Sequence, residues 1–320
     1  MKNFIWTECL GCSEIGRIAI KSFLKYHNNL KLNVFIYEAD LGKLPQDENI
    51  IYHTFEKKNN IKYFISKFSN NFKNCFSLTE NLLKSYFKKG HKGTAHLWSY
   101  ILKKYTSYDN YIHFDSDVVF CDSAINDLIK YSYDYDIVGQ CRPYKCNPFN
   151  INFGNLPDLV ATCCFLFKPA LCPSIKRLNQ KNLAMAIQGR NRITGKKLID
   201  FFDQIALEIF INNGKIKYLS VDDFGGTAIN GSRKSSFSSL NNMKTKYKID
   251  VGRKIVHFSA VGSGYNIWKT KATSGSKEYD KYALDRFYLY MKCFYPESKI
   301  EFPNLEKYSE LIDYFNTKNF

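Results

Sequence analysis

Four runs rich in β-branched and aromatic residues punctuate the first half of the chain: "NFIW" (3–6), "NVFIY" (33–37), "NIIYHTF" (49–55) and "YIHF" (111–114). Between them lie segments of helical periodicity. "SEIGRIAIKSFLKYH" (13–27) carries Ile15, Ile18, Ala19 and Tyr26 at helical spacing, with Ser13 the predicted N-cap. "IKYFISKF" (61–68) and the amphipathic "GTAHLWSYILKKY" (93–105) read as further helices. Strands that alternate with helices predict a largely parallel sheet covered on both faces. In such sheets ligands bind beyond the C-terminal ends of the strands.

The pattern continues downstream. "DIVGQC" (136–141), "CCFLF" (163–167), "KIKYLSV" (215–221) and "KIVHFS" (254–259) read as strands. "KLIDFFDQIALEIFINN" (197–213) is a strongly amphipathic helix, and "GTAINGSRKSSFSSLNN" (226–242) reads as a long loop suited to a lid. From Ser276 onward the chain looks helical. The expected class is α/β: a mixed, mostly parallel sheet flanked by helices, formed by residues 1–272, with residues 273–320 a helical extension packed on it.

With 46 Lys and Arg against 30 Asp and Glu, the formal net charge is +16. Such a surface favours anionic partners, although the bases are spread along the chain as on an ordinary solvated lysine surface. The ten cysteines are scattered, several in apolar runs, which suits small buried hydrophobes in a reducing cytosol. "CLGC" (9–12) has half-zinc or redox spacing but no second pair of comparable spacing. Neither a signal peptide nor a membrane-spanning run is evident, so a cytoplasmic protein is expected. "DRFYLYMKCFYP" (285–296) mixes aromatics with bases, which fits either peripheral membrane contact or a helix packed on the body.

The chemistry concentrates at "YIHFDSDVVF" (111–120), where Asp115 and Asp117 follow a buried-type strand. Two carboxylates one residue apart at a strand end can share a hard divalent cation, Mn²⁺ or Mg²⁺, which keeps open positions for phosphate oxygens. A solvated turn with two surface acids is the plainer alternative.

The segment "YDNYIHFDSDVVF" resembles the acid-x-acid motif of nucleotide-sugar glycosyltransferases of the GT-A fold. Other segments resemble that family in the same order. "GRIAIKSFLKYHNNLKLNVFIYEAD" is similar to its first helix and second strand, and "GHKGTAHLWSYILKK" to the helix before the motif. "FFDQIALEIFINNGKIKYLS" looks like the "DQ" helix and following strand of glycogenin-like and galactosyltransferase-like members. "VHFSAVGSGYNIWK" looks like the late histidine segment. The likeness spans residues 1–269.

The resemblance implies the following roles. Asp115, Asp117 and His257 would hold the metal, with Asp115 and Ser116 also at the nucleotide. Thr7 and Glu8 after the first strand, and Asp40 after the second, would contact base and ribose. Lys92 would reach the donor sugar or phosphates. Gly262 and Gly264 would let backbone N–H groups approach the diphosphate, and Lys269 would add positive charge. The family's histidine segment usually reads His-x-x-Gly-x-x-Lys, and here the first glycine and the lysine come later. Asp203 and Gln204 match the "DQ" pair beside the anomeric carbon, which leans toward retention. Asp223, with its neighbour Asp222, is a rival base. The implied donor is a nucleotide sugar, most commonly of uridine diphosphate, and the acceptor a glycan, a lipid-linked sugar or a protein.

Two other classes compete. A phosphotransferase of the haloacid dehalogenase type also places D-x-D after an apolar strand, with the first acid, here Asp115, as nucleophile. Its motif normally lies near the start of the domain and continues with Thr or Val-Thr, unlike this one, which lies past residue 110 and continues Val118-Val119. A non-catalytic nucleic-acid-binding module would use the positive charge, but no recognition motif or interleaved basic-aromatic patch is present, so no nucleic-acid partner is expected.

Overall fold

The computed structural model describes residues 1–55, 91–142, 159–171, 206, 208–210, 212–225, 249–259, 261–270, 278–298, 300 and 309–317. The first half runs β1 (Asn3–Glu8), α1 (Ser13–Tyr26), β2 (Leu32–Tyr37), a 3-10 helix (Glu38–Lys43), β3 (Ile50–Phe55), α2 (His91–Lys104), β4 (Asn110–Phe114), β5 (Val118–Phe120) and α3 (Ala124–Tyr131). The second half runs β6 (Ile137–Arg142), β7 (Leu159–Phe167), β8 (Ile216–Tyr218), α4 (Val221–Phe224), β9 (Ile249–Val251), β10 (Ile255–Phe258), α5 (Val261–Thr270), α6 (Glu278–Phe294) and α7 (Ser309–Asn316).

Seven strands form one sheet in the order β3-β2-β1-β4-β7-β6-β8. Pairings are parallel except where β7 runs antiparallel to both β4 and β6. The mixed, mostly parallel sheet read from the sequence is therefore the observed one. Alternation sorts its side chains. Phe4, Trp6 and Phe35 face a core shared with Trp98 and Ile101 of α2. Ile5, Val34 and Ile36 face another shared with Ala19 and Phe23 of α1 and Leu128 of α3. β4 is buried along its whole length, at the centre of this sheet.

A second, three-stranded antiparallel sheet joins β5, β10 and β9, and it was not legible as a unit. It packs with α5 and α6 in a third core that includes Val119, Val256, Phe258, Phe287 and Tyr290. Tyr290 of α6 ties that core to α1 by donating to the Ile15 carbonyl at 2.8 Å.

Some local expectations are corrected. Ser13 is the first residue of α1, not its cap; Cys12 occupies the cap position with no side-chain hydrogen bond, after Gly11 has turned the chain at φ +80°. In "KIKYLSV" only Ile216–Tyr218 is strand, and Val221 already starts α4. The aromatic-basic stretch of α6 packs largely inward, as a helix on the body would: Arg286, Phe287, Tyr290, Met291 and Phe294 are buried. No described helix is long and apolar enough to cross a membrane. The expected helix 61–68 and loop 226–242 lie outside the described residues.

Candidate metal centre

β4 ends at Phe114, and the chain turns at once. Asp115 N–H donates to the Cys163 carbonyl on β7 at 2.8 Å, and Val118 N–H donates back to the Asp115 carbonyl at 3.0 Å. That turn sets Asp115, Ser116 and Asp117 beyond the C-terminal end of the central strand, where the crevice of such a sheet opens.

β5 then leads away and pairs antiparallel with β10, in a register that sets His257 opposite Val118. Phe258 N–H donates to the Asp117 carbonyl at 3.0 Å. The pairing brings a histidine from late in the chain onto the acid turn. His257 Nε2 lies 3.4 Å from Asp117 Oδ1 and 3.7 Å from Asp115 Oδ2. One ligand atom from each of the three residues falls within 4.8 Å of the others. Two carboxylate oxygens and an imidazole nitrogen, with one side chain more open than the others, form a donor set that suits Mn²⁺ or Mg²⁺.

Asp117 and His257 are each 12% exposed in their side chains, whereas Asp115 is 37% exposed. Burial alone would lower the His257 imidazole, but Cys163, Asp117 and Asp250 outweigh it and hold the ring well above its usual value. Asp115 is raised above the carboxylate range, first by desolvation and then by Asp117, against the pull of His113 and His257.

The other candidates fall in three groups. Some sit at the turn. Ser116 Oγ meets Cys12 Sγ at 3.4 Å, which joins the start of α1 to the acids. A Cβ on Gly262 would meet only Cys12 Cβ, at 3.9 Å, so this glycine lies beside the same corner.

Others have surroundings of their own. Glu8 has one oxygen on Trp98 Nε1 at 3.2 Å and the other on His113 Nε2 at 2.8 Å, so its carboxylate serves a buried network. Thr7 is fully buried, with no hydrogen-bond partner for its hydroxyl. Asp40 is buried and salt-bridged to Lys43 at 2.8 Å. Asp223, in α4, is salt-bridged to Arg253 at 2.8 Å. Gly264 is a packing residue: any Cβ there would collide with the Ala283 carbonyl of α6. Lys269, two turns along α5 from Gly262, is exposed and holds its ammonium over the Tyr265 ring, 5.4 Å from the centroid.

The rest cannot be set against geometry. Lys92 lies in the first turn of α2, and Asp203 and Gln204 lie outside the described residues. In "CLGC", Cys9 is buried and both thiols are raised, chiefly by burial, Cys12 to about 12.

Sequence reasoning missed two residues here. His113, buried beneath the acids, donates its Nδ1–H to the Thr162 carbonyl at 3.1 Å, holds Nε2 2.8 Å from Glu8 Oε2 and lies 3.9 Å from Asp115 Oδ1. Asp250 lies behind His257. An acid and a histidine at cross-strand positions of a hairpin are visible only once β9 is recognised.

No family model matches the sequence, and no curated protein matches it. Among solved structures the chain is similar to the galactosyltransferase LgtC in complex with donor and acceptor sugar analogues. That match has 12% identity over 69% of this chain and 74% of that one, with a TM-score of 0.39. An active-site variant of LgtC matches over 88% of this chain and 99% of that one, again at 12% identity, with a TM-score of 0.44. Residue roles therefore have to come from the geometry of this chain itself.

Proposed function

We propose that the protein is a metal-dependent glycosyltransferase of GT-A type, which moves a sugar from a nucleotide-sugar donor to an acceptor hydroxyl. The observation that carries this reading is the Asp115–Asp117–His257 cluster at the end of the central strand, with three ligand atoms within 4.8 Å of one another. Its oxygen-rich, open-sided composition suits a cation that must also take phosphate oxygens.

Asp115, Asp117 and His257 would hold Mn²⁺ or Mg²⁺. When bound, the cation supplies neutralisation of the charge that develops on the departing diphosphate. The N-terminal turn of α5, whose Gly262 lies near Cys12 and so near Ser116, would add backbone N–H groups to the diphosphate site. Transfer breaks the bond between the anomeric carbon and the diphosphate oxygen and forms one to the acceptor oxygen, whose proton goes to a base. In a retaining reaction Asp203 and Gln204 would border the anomeric carbon. Lys92 and Lys269 would complement the donor's charge, and a uridine diphosphate sugar is the favoured donor. The acceptor is read as a glycan, a lipid-linked sugar or a protein, in the cytoplasm, with residues 1–272 as the transferase unit and 273–320 as its extension.

The test is nucleoside diphosphate release from a panel of nucleotide sugars with Mn²⁺, in wild type and in Asp117→Ala. Slow hydrolysis of one donor, lost in the variant and with EDTA, is the expected outcome. No release from any donor, together with no Mn²⁺ binding, would remove the reading. Phosphate release from a generic phosphate ester would favour the phosphotransferase class instead.

A further inference from the structure

β9 and β10 form an antiparallel pair in which Asp250 stands directly opposite His257. Their neighbours Ile249, Val251, Val256 and Phe258 are buried apolar residues of the third core. By strand alternation, Asp250 and His257 share the other face. Asp250 Oδ2 lies 3.7 Å from His257 Nδ1, while Nε2 of the same ring faces Asp115 and Asp117. The Nδ1 atom is itself buried and has no hydrogen-bond partner. The Cys163 thiol, which donates to Gln140 Oε1 at 2.8 Å, also lies against the ring and is a weak sulfur acceptor beside the Asp250 carboxylate.

This geometry has a chemical consequence. If Nε2 gives its lone pair to a cation, the ring proton must sit on Nδ1. A buried N–H without an acceptor is costly, and Asp250 is the carboxylate that faces it. A shift of under 1 Å would close the gap from 3.7 Å to hydrogen-bond length.

We propose that Asp250 is the positioning residue of the metal centre: it accepts the Nδ1–H of His257, fixes the tautomer and holds Nε2 toward the cation. This inference rests on the metal reading above. Carboxylate–histidine–metal arrangements of this kind are general, and loss of the outer partner typically weakens metal affinity about 10- to 100-fold.

The experiment measures Mn²⁺ binding alone, with no donor present, on the full chain. Electron paramagnetic resonance counts free Mn²⁺, and pulsed measurements report modulation from a directly bound imidazole nitrogen. Wild type is compared with Asp250→Val, which lacks an acceptor, and Asp250→Asn, whose amide oxygen can still accept. The expected order of affinity is wild type, then Asn a few-fold weaker, then Val roughly 10- to 100-fold weaker with its nitrogen modulation reduced. The apo melting temperature of Asp250→Asn should stay near wild type, which separates positioning from a general loss of fold. Equal affinity and equal nitrogen modulation in all three proteins would overturn the role of Asp250 and leave the metal centre standing. Failure of wild type itself to bind Mn²⁺ would overturn both.

Discussion

The seven-stranded sheet and the three-stranded sheet divide the work of this molecule. In the larger one, β1, β2 and β4 are hydrophobic nearly throughout and are covered on both faces, by α2 on one side and by α1 and α3 on the other. The smaller one consists of short strands, two of them from the last quarter of the chain, and it carries His257 and Asp250 to the acid turn. Burial stabilises the first, and register gives the second its chemistry. Damage to the two sheets should therefore be read out by different measurements.

The largest effect is expected at the turn that joins them. Asp117→Ala removes a buried carboxylate of the proposed metal site and should lower donor turnover by at least roughly 100-fold, the scale seen when a group that stabilises transition-state charge is deleted. Mn²⁺ binding should be lost with it, while the urea midpoint of the apo protein stays close to wild type. A large drop in stability instead would mean that Asp117 serves the fold.

The reverse is expected in the large sheet. Trp6 is fully buried and packs edge-on against Trp98 at 5.2 Å between centroids. Trp6→Ala should cost about 3–5 kcal/mol in equilibrium unfolding. In the fraction that remains folded, Mn²⁺ affinity should be unchanged.

This division also explains what could be read in advance. β1, α1, β2, β3 and β4 were legible because each carries its own signal: continuous apolar strands and a helix with Ile15, Ile18 and Ala19 buried at helical spacing. The acids at 115 and 117 were legible because carboxylates directly after such a strand are conspicuous. β5 and β9 were not, since three residues show no period, and their pairing depends on β10 from elsewhere in the chain. The buried partners of Glu8, Trp98 and His113, were not legible either, because they lie about 90 and 105 residues away in sequence.

Histidines make the two regions respond oppositely to pH. His27 caps the end of α1 and is fully buried; Nδ1 donates to the Phe23 carbonyl, and Nε2 accepts from Ile125 N–H at the start of α3. Burial pushes its pKa down from 6.5 to about 4. The unfolded chain then binds a proton that the folded chain refuses, so stability falls as pH drops from 6.5 toward 4. The loss from this residue is about 3 kcal/mol. Apo His257, held above its unfolded value, has the opposite sign: its contribution is present below pH 6.5 and fades as pH rises through its folded value. Urea unfolding of wild type and His27→Gln from pH 7 to pH 4 checks this. The variant should be less stable at pH 7 and should show a shallower decline on acidification. Parallel curves would mean that the buried ring does not titrate as its surroundings require.

The smallest effects come from two glycines on α5, and they sharpen the comparison most. Gly264 lies against α6, where a Cβ would run into the Ala283 carbonyl, a backbone atom that cannot swing aside. Gly264→Ala should destabilise by about 1–3 kcal/mol, the usual cost of overpacking, by prising α5 from α6. Gly262 has ordinary contact distance to spare, with Cys12 Cβ at 3.9 Å. Gly262→Ala should therefore leave stability within roughly 1 kcal/mol of wild type, since a helical alanine is at least as favourable as glycine. If the diphosphate approaches the start of α5, the same methyl should still raise the donor KM a few-fold, because it occupies space that only the ligand needs. Both variants taken through thermal melts and donor titrations make the distinction. A Gly262→Ala protein with unchanged melting and unchanged KM would place the diphosphate away from α5, and the acid turn alone would then have to hold the donor.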